Sequence, residues 1–341
     1  MSRARVYLDY NATAPLRAEA REAMIAAMDI VGNPSSVHGE GRAAKALVER
    51  ARGQVAAAVG CKPQEVVFTS GATEAARVLA GFDCVEVQPT AHDALWAHHA
   101  PGESGPVVRA MGLANSETGI VTPPETGEDL LLLDITQAVG RLPFSFAWSG
   151  ADLAVMSAHK LGGPKGVGAL IVRQGLDIPA LSLGGGQEMG RRSGTENIIG
   201  IAGFGAAAEG AQRDLEAGVW ARVEKLRRIL ENAIEESSQV TTFVGKSEDR
   251  LPNTSCFITP GWKGETQVMA MDLAGFAISA GSACSSGKVK ASRVLAAMGF
   301  DEVEAASAVR VSLGPDTSED DVVAFAQAWA RQHEKFRARA A

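Results

Sequence analysis

The chain has 341 residues, of which 46% are hydrophobic and 5% aromatic, and its mean hydropathy is +0.01. This length is enough for two packed lobes, and the sequence is too polar for membrane spans of about 20 apolar residues. The formal net charge of −7, without a run of basic residues, indicates neither a nucleic acid nor an anionic membrane as a partner.

The N-terminus and the cysteines bear on the cellular compartment. Arg3 and Arg5 are followed by a strand-like segment rather than by the about 7 to 15 apolar residues of a secretory signal, so we expect a cytoplasmic protein. The cysteines are widely spaced, without a Cys-x-x-Cys pair, which favours neither a zinc site nor a disulfide framework. They are Cys61, Cys84, Cys256 and Cys284.

The apolar periodicity predicts helices that alternate with short strands, and therefore an α/β fold. The predicted helices are 17–28, 41–59, one that begins within 70–74, 212–236 and 320–336. The predicted strands are 65–69, 84–87, 107–111, 130–133, 153–156, 169–172, 254–258, 277–280 and 309–313. The helix 212–236 is expected to connect a large domain, residues 13–215, to a small one formed by residues 1–12 and 216–341.

An anion site is predicted where strand 65–69 runs into the small-residue turn Ser70-Gly-Ala-Thr73. The backbone N–H groups and the dipole at the start of the next helix favour a negatively charged ligand. Ser157 and His159 follow another predicted strand and are suited to a phosphate as well. Serine and threonine at such turns also serve as local caps, so both interpretations stay open for Thr73 and Ser157.

Lys160 lies between the apolar strand 153–156 and the glycine-rich segment 162–166. A lysine there can be an ordinary surface residue, or it can hold an aldehyde cofactor as a Schiff base. Asp134 ends another apolar strand, where an acid either caps the next turn or pairs with a cation. With Gln137 three positions on, a clamp for the nitrogen and oxygen of a cofactor ring fits better than a cap alone.

Three further residues have two interpretations each. His92 follows the strand 84–87 and can stack on a flat cofactor, although a single histidine is more often structural. Cys284 lies in the small-residue stretch 282–287, where an exposed thiol is a liability unless it reacts. Arg310 interrupts an apolar strand, so its guanidinium requires an anion, either in an internal salt bridge or in a bound substrate carboxylate.

Together these residues resemble the NifS/IscS-like cysteine desulfurases of the class V, fold-type I pyridoxal-phosphate enzymes. The resemblance covers nearly the whole chain. Its motifs are 7–15 (YLDYNATAP), 32–39 (GNPSSVHG), 68–74 (FTSGATE), 115–119 (NSETG), 134–137 (DITQ), 157–160 (SAHK), 192–195 (RSGT), 281–284 (GSAC) and 310–314 (RVSLG). It implies a large domain with a mostly parallel sheet of the seven-stranded type, here trimmed, and a smaller α/β domain that carries Cys284.

The resemblance also implies a role for each matching residue. Lys160 would bind pyridoxal 5′-phosphate covalently, and Asp134, Gln137 and His92 would contact its ring. The cofactor phosphate would be bound by Ala72, Thr73, Ser157 and His159, and by Thr195 of a second subunit in a homodimer. The substrate carboxylate would be bound by Asn11, Asn115 and Arg310. No metal is implied.

The implied reaction removes sulfur from L-cysteine, which leaves alanine and a persulfide on Cys284. The sulfur then passes to an acceptor protein, either a scaffold or a sulfur carrier, for iron-sulfur cluster assembly or another biosynthesis. Two alternatives remain. One is another class V enzyme: an aminotransferase or a kynureninase-type lyase, which needs no loop thiol, or a selenocysteine-type lyase, which has a different cysteine motif. The other is a non-catalytic structural partner, which has no need of Lys160.

The chain departs from the family pattern at four places. The interval from residue 93 to residue 114 is short, which predicts that part of the large sheet or its cover is trimmed. Ser116 follows Asn115 where the family usually has an asparagine pair, and Met189 begins a stretch that is typically led by arginine. The chain also lacks an extended tail beyond Phe336, so the sulfur acceptor stays open.

Overall fold

The structure is a computed structural model that describes residues 5–102, 107–125, 127–280 and 292–340. These residues group into two compact units. The larger unit consists of Thr13–Ala114 and Thr122–Ala217, and the smaller unit of Met1–Ala12, Asn115–Val121 and Gly218–Ala341. The segment 115–121, which the sequence placed in the large domain, groups with the smaller unit because Val121 N–H bonds Asp249 and Leu251 N–H bonds Gly119.

Helices and strands alternate along the described residues, which confirms the α/β prediction. The strands are β1 (Val6–Tyr7), β2 (Val66–Thr69), β3 (Cys84–Val87), β4 (Val107–Gly112), β5 (Leu130–Asp134), β6 (Leu153–Ser157), β7 (Gly168–Val172), β8 (Thr242–Phe243), β9 (Thr254–Ile258), β10 (Phe276–Ala277), β11 (Ser279–Ala280) and β12 (Ala308–Ser312). The α-helices are α1 (Ala18–Met28), α2 (Gly39–Val59), α3 (Ala72–Ala75), α4 (Asp93–Trp96), α5 (Ile198–Glu216), α6 (Val219–Ser237), α7 (Gly264–Leu273), α8 (Arg293–Ala297), α9 (Glu302–Ala306) and α10 (Glu319–Ala340).

The larger unit is built on a sheet whose described strands number six, in the order β2-β7-β6-β5-β4-β3. The pairs from β3 to β6 are parallel, and β7 is antiparallel to both of its neighbours. All residues of β2, β6 and β7 are buried, as expected of strands that are covered on both faces and read as continuous apolar runs. Because β2 and β6 are both antiparallel to β7, the strands β2 to β6 end at the same edge.

One face of this sheet is covered by α1, α2 and α5, and two glycines of α5 let the helices approach closely. A Cβ at Gly205 would lie 2.7 Å from Cα of Ala51 in α2, and one at Gly203 would lie 2.6 Å from the side chain of Met24 in α1. Each distance is shorter than real Cβ contacts allow. The small residues of α5 therefore set the spacing of this helical layer.

The outer edge of the sheet is β3, and a returning piece of chain covers part of it. After the one-turn helix α4, the Val85 N–H donates to the backbone oxygen of Ala100 over 2.9 Å, and the Ala100 N–H donates to the backbone oxygen of Val85 over 3.0 Å. Next to this pair, Nδ1 of His99 accepts from the N–H of Val87 over 3.2 Å. The short interval between β3 and β4 therefore leaves no further strand beyond β3 among the described residues.

The smaller unit contains the antiparallel sheet β11-β12-β9-β8 and the parallel pair β1-β10. Its aromatic side chains pack together between α7 and α10. Trp329 is fully buried and donates from Nε1 to Gln267 over 3.1 Å, while His333 stacks on Trp329 and Trp262 at ring distances of 5.0 and 5.8 Å. Burial lowers the pKa of His333 below its usual value, with a smaller contribution from Arg337.

Two predicted elements differ in the structure. The single helix 212–236 is wrong because α5 ends at Glu216 and α6 begins at Val219, with Gly218 at φ 71° between them. The strand 277–280 is divided into β10 and β11, which belong to different sheets. None of the described helices is both long and apolar enough to span a membrane.

Candidate active site

The predicted site residues of the larger unit gather along the edge where β2, β5 and β6 end. Ser157 on β6 pairs with Gly168 on β7, and Gly168 pairs with Thr69 on β2. These three residues therefore lie side by side across the sheet. Asp134 ends β5 and pairs with Val155 on β6. The carboxyl edge of an open α/β sheet is where such folds bind ligands.

The turn from β2 into α3 packs tightly against this row. A Cβ at Gly168 would lie 2.5 Å from Cα of Gly71, so only glycine lets the turn approach β7. The N–H of Ala72 donates to Oγ of Ser157 over 2.8 Å, and both residues are buried. The Ser157 hydroxyl accepts this bond, so its own proton can be donated to an anion. Thr73, the next residue of the turn, is exposed.

Lys160 ends the single 3₁₀ turn that follows β6, and it is half-buried. A buried arginine, Arg141, connects it to Gln137. Nη2 of Arg141 donates to the backbone oxygen of Lys160 over 3.0 Å, and Nη1 donates to Oε1 of Gln137 over 2.6 Å. The bond to Arg141 orients the oxygen of the Gln137 amide and leaves its NH₂ as the donor end. Sequence reasoning missed Arg141, whose only signal is its position four residues after Gln137.

Asp134 serves as a local cap, since its Oδ1 accepts from the N–H of Thr136 over 2.9 Å. The sequence left this capping role open as one of two interpretations. The cap hydrogen bond uses one of the two carboxylate oxygens of Asp134. Beside it, Oγ1 of Thr136 is buried without a hydrogen-bond partner in the described part of the chain. A buried hydroxyl without a partner is uncommon in folded proteins and is compatible with a polar ligand at this position.

The electrostatics around Lys160 favour an anion. Burial, together with the charges of Lys160 and Lys165, lowers the pKa of His159 from 6.5 to about 4. His159 is therefore neutral at pH 7, and its Nδ1 lies 3.2 Å from Oγ1 of Thr13. A neutral imidazole beside two lysines can donate one hydrogen bond to a phosphate without adding to the positive charge.

His92 lies after β3, as predicted, at the N-cap of α4. It is exposed, and its Nδ1 accepts from the N–H of Ala94 over 3.1 Å. The observed contact is thus that of a helix cap. Because Nδ1 accepts a hydrogen bond, the neutral imidazole carries its proton on Nε2. Stacking of His92 on a cofactor ring stays a prediction.

The segment 186–195 carries Thr195, which is exposed. It contains two non-glycine residues with positive φ, Glu188 (φ 49°) and Met189 (φ 58°). Such conformations cost about 1–3 kcal/mol each and persist where the surrounding structure determines them. Two ion pairs that sequence reasoning missed fix this segment: Arg52 with Glu188, and Arg192 with Glu74.

The smaller unit contains the predicted carboxylate-binding residues. Arg310 is 6% exposed and forms an internal salt bridge, in which its Nη2 donates to Asp9 over 2.8 Å, and its Nη1 donates to the backbone oxygen of Ser116. Its Nε is buried without a hydrogen-bond partner in the residues that the structure describes. The internal salt bridge that the sequence left as an alternative is therefore present.

The side chains of Asn11 and Asn115 form hydrogen bonds within the smaller unit. Nδ2 of Asn11 donates to Ser116 and Thr254, and its Oδ1 accepts from Asn253 over 3.1 Å. Oδ1 of Asn115 accepts from the N–H groups of Glu117 and Thr118. The contacts shown fix the turn 115–119 and the segment before Thr13. Direct contact of either asparagine with a substrate stays a prediction.

Cys284 lies outside the described residues. Cys61 and Cys256 lie within them, and burial raises the pKa of each thiol to about 12, with a smaller contribution from nearby glutamates. Neither thiol is therefore a thiolate at neutral pH, which is the form that a nucleophile requires.

The residues of the larger unit fit pyridoxal phosphate. The turn 70–73, the Ser157 hydroxyl and the neutral His159 suit a phosphate, and the buried Thr136 hydroxyl has no hydrogen-bond partner among the described residues. Lys160 supplies the amine for an aldehyde.

Comparison with known proteins agrees with this chemistry. The family model described as Aminotransferase class-V matches residues 6–88 and 106–325. A cysteine desulfurase of Cereibacter sphaeroides is 37% identical over 93% of this chain and 93% of its own length. The cysteine desulfurase IscS of Dictyoglomus turgidum is 33% identical over 93% and 91%. The X-ray structure of a NifS-like protein from Rickettsia africae matches 97% of this chain and 99% of its own, with a TM-score of 0.88 and 29% identity.

Proposed function

The chain belongs to the class V aminotransferase family, and on that premise we propose that it is a cysteine desulfurase that uses pyridoxal phosphate to remove sulfur from L-cysteine. The observation that carries the proposal is the edge of the larger sheet, where Lys160 follows Ser157 and Asp134 ends the neighbouring strand. Relatives named cysteine desulfurase, with 33% to 37% identity over nearly the whole chain, support the same activity.

Pyridoxal phosphate, when bound, withdraws electrons from an amino acid attached to it and so makes the α-proton of that amino acid acidic. Lys160 would hold the aldehyde carbon, and Asp134 would keep the ring nitrogen protonated. The Gln137 amide, oriented by Arg141, would donate to the ring oxygen. The phosphate would be bound by the turn that contains Ala72 and Thr73, by Ser157 and by His159, while His92 would lie against the ring.

The chain's own groups then move the proton and the sulfur. The amine of Lys160 removes the α-proton, while Arg310 binds the substrate carboxylate, with Asn11 and Asn115 in support. The thiolate of Cys284 attacks the substrate sulfur. A sulfur–sulfur bond forms, the carbon–sulfur bond breaks, and its electron pair moves to the β-carbon, which is protonated to give alanine. The sulfur bound to Cys284 passes to an acceptor protein in the cytoplasm, for iron-sulfur cluster assembly or another sulfur-transfer pathway.

The functional unit in this proposal is a homodimer. Thr195 is exposed on its segment, as expected of a residue that binds the phosphate of a second subunit. Shared ligands make cofactor binding and subunit association mutually stabilising. A cofactor-loaded, active protein that sediments as a monomer would contradict this part.

The test is the reaction of the purified protein, loaded with pyridoxal phosphate, with L-cysteine and a thiol reductant. The expected result is alanine and sulfide in equal amounts, together with a yellow protein. A 2-oxo acid that retains the sulfur, or sulfide with pyruvate in place of alanine, would indicate a different class V reaction. A colourless protein without turnover would favour a non-catalytic partner.

A further inference from the structure

The turn Glu188–Met189 adopts a backbone conformation that its own residues do not favour. Both residues have positive φ and are followed by Gly190 at φ 78°, so three successive residues are left-handed. Only the last of the three is a glycine, the residue that adopts this region without steric cost. The turn therefore depends on contacts from elsewhere in the fold.

Apolar packing does not supply those contacts. The Met189 side chain is 52% exposed, and a cavity of about 470 Å³ lies beside the turn, lined in part by Lys45, Gln64 and Glu196. A methionine on the rim of an open cavity is not forced into one backbone conformation by its neighbours. Within the turn, the side chain that is buried and hydrogen-bonded is that of Glu188.

That side chain is held by Arg52 of α2. Nη1 and Nη2 of Arg52 donate to the two carboxylate oxygens of Glu188 over 2.8 and 2.9 Å, and the two side chains are only 7% and 2% exposed. Glu188 also accepts from the N–H of Phe68 over 2.8 Å. Burial alone would lower the pKa of Arg52, but its hydrogen bonds with Glu188 raise it above its usual value. Arg52 is therefore charged at neutral pH.

Two contacts connect the segment around Glu188 with the predicted phosphate-binding turn 70–74. Phe68 lies in β2, which runs directly into Ser70–Thr73. On the far side of the strained turn, Arg192 donates to Glu74 over 2.9 Å, and Glu74 accepts from the N–H of Ser70 over 2.6 Å. The segment 186–195 is thus fixed to the turn 70–74 at two points, through Glu188 and through Arg192.

We propose that Arg52 and Glu188 are positioning residues, which hold the strained turn in place. Turn 70–74 then presents ligands to the phosphate of its own subunit, and segment 186–195 presents Thr195 to the phosphate of the second subunit. This rests on the proposed function, because the anion concerned is the phosphate of pyridoxal phosphate. Neither residue is assigned a contact with the cofactor. They act through the backbone of the segment that carries Thr195.

The test compares two ligands, pyridoxal phosphate and pyridoxal, which lacks the phosphate. Their dissociation constants are measured by absorbance titration for wild type and for the double variant Arg52→Met/Glu188→Gln. The double variant removes both charges together, so no unpaired buried charge remains, and the glutamine can still accept from Phe68. Arg50→Met, an exposed position on the same helix, is the matched control.

The double variant is expected to weaken pyridoxal phosphate binding about 10- to 100-fold, by analogy with the removal of residues that orient metal ligands. Pyridoxal binding changes little, and so does the melting temperature of the cofactor-free protein. Addition of Met189→Gly restores part of the affinity, because glycine adopts the positive φ unaided. Arg50→Met behaves as wild type.

A purely structural ion pair would give a different pattern. Equal weakening of both ligands, in parallel with a lower melting temperature, overturns the positioning role, and so does a double variant that keeps the wild-type ratio of the two dissociation constants. If the wild-type protein binds no pyridoxal phosphate, the proposed function fails instead, so the two failures are distinguishable.

Discussion

Arg310 and Asp9 lie 301 residues apart in the sequence, and the guanidinium of one donates to the carboxylate of the other over 2.8 Å. Asp9 is only 16% exposed, and its second oxygen accepts from Oγ of Ser279 over 2.8 Å. The N-terminal segment therefore supplies the counter-charge for an arginine in the centre of a sheet. This contact orients the guanidinium of Arg310.

Replacement of Asp9 by asparagine should destabilise the protein, because the charge of Arg310 then remains buried without a counter-ion. Loss of one partner of a buried pair costs about 3–5 kcal/mol, and the partial exposure of Asp9 places the expected loss near the lower end. Urea unfolding measures it. The double variant Asp9→Asn/Arg310→Met should recover part of the stability. An unchanged unfolding midpoint in Asp9→Asn would contradict the role of the pair.

Borohydride reduction of the protein loaded with pyridoxal phosphate should attach the cofactor to Lys160. Its neighbour Lys165, which also lowers the pKa of His159, is the internal comparison. Peptide mass spectrometry identifies the labelled residue. Lys160→Ala should lose both the label and the turnover. Label on Lys165, or activity in Lys160→Ala, would show that the assignment is wrong.

Replacement of Cys284 by serine should abolish sulfur transfer and leave cofactor binding unchanged. A serine hydroxyl is a poor nucleophile towards sulfur at neutral pH, so the expected loss in rate is on the order of 10³ or more. Alanine and sulfide production from L-cysteine, together with the absorbance spectrum, measure both parts. Cys61→Ser is the control, since the pKa of Cys61 is raised to about 12 and its thiol is protonated at neutral pH. Wild-type alanine production in Cys284→Ser would favour another class V activity.

The stability of the cofactor-free protein should fall as the pH decreases from about 6.5 towards 4. His159 has a pKa of about 4 in the folded protein against 6.5 in the unfolded chain. Over this range the unfolded chain binds a proton that the folded protein does not, so acidification favours unfolding. His159→Asn should show a shallower dependence in urea unfolding at a series of pH values. The lowered pKa of His333 acts in the same direction and remains in the variant. Identical slopes would exclude a contribution from His159.

The elements that the sequence predicted well are those with a clear local signal. β6 and β7 are continuous apolar runs, and α2 ends at Gly60 in the left-handed conformation that a glycine cap favours. The break at Gly218 was missed because the helical pattern continues on both sides of it. A single glycine within such a pattern is often tolerated.

The sequence predicted that several site residues directly follow strands, as in other open α/β sheets, which bind ligands at the carboxyl ends of their strands. The ion pairs near the site could not be predicted from the sequence, because the pairing of residues that are distant in the chain has no local signal. Arg52 and Glu188 are 136 residues apart, and Arg192 and Glu74 are 118 apart. An arginine within a helix such as α2 looks the same in sequence whether it faces water or a buried carboxylate.

The return of residues 97–100 along β3 has a consequence for how the molecule behaves at high concentration. The outermost strand of an open sheet displays unpaired N–H and C=O groups, to which a strand of another molecule can add. Here the backbone of Ala100 and the ring of His99 occupy three of those groups on Val85 and Val87. The short connection between β3 and β4 therefore also hinders self-association in which a strand of another molecule adds to β3.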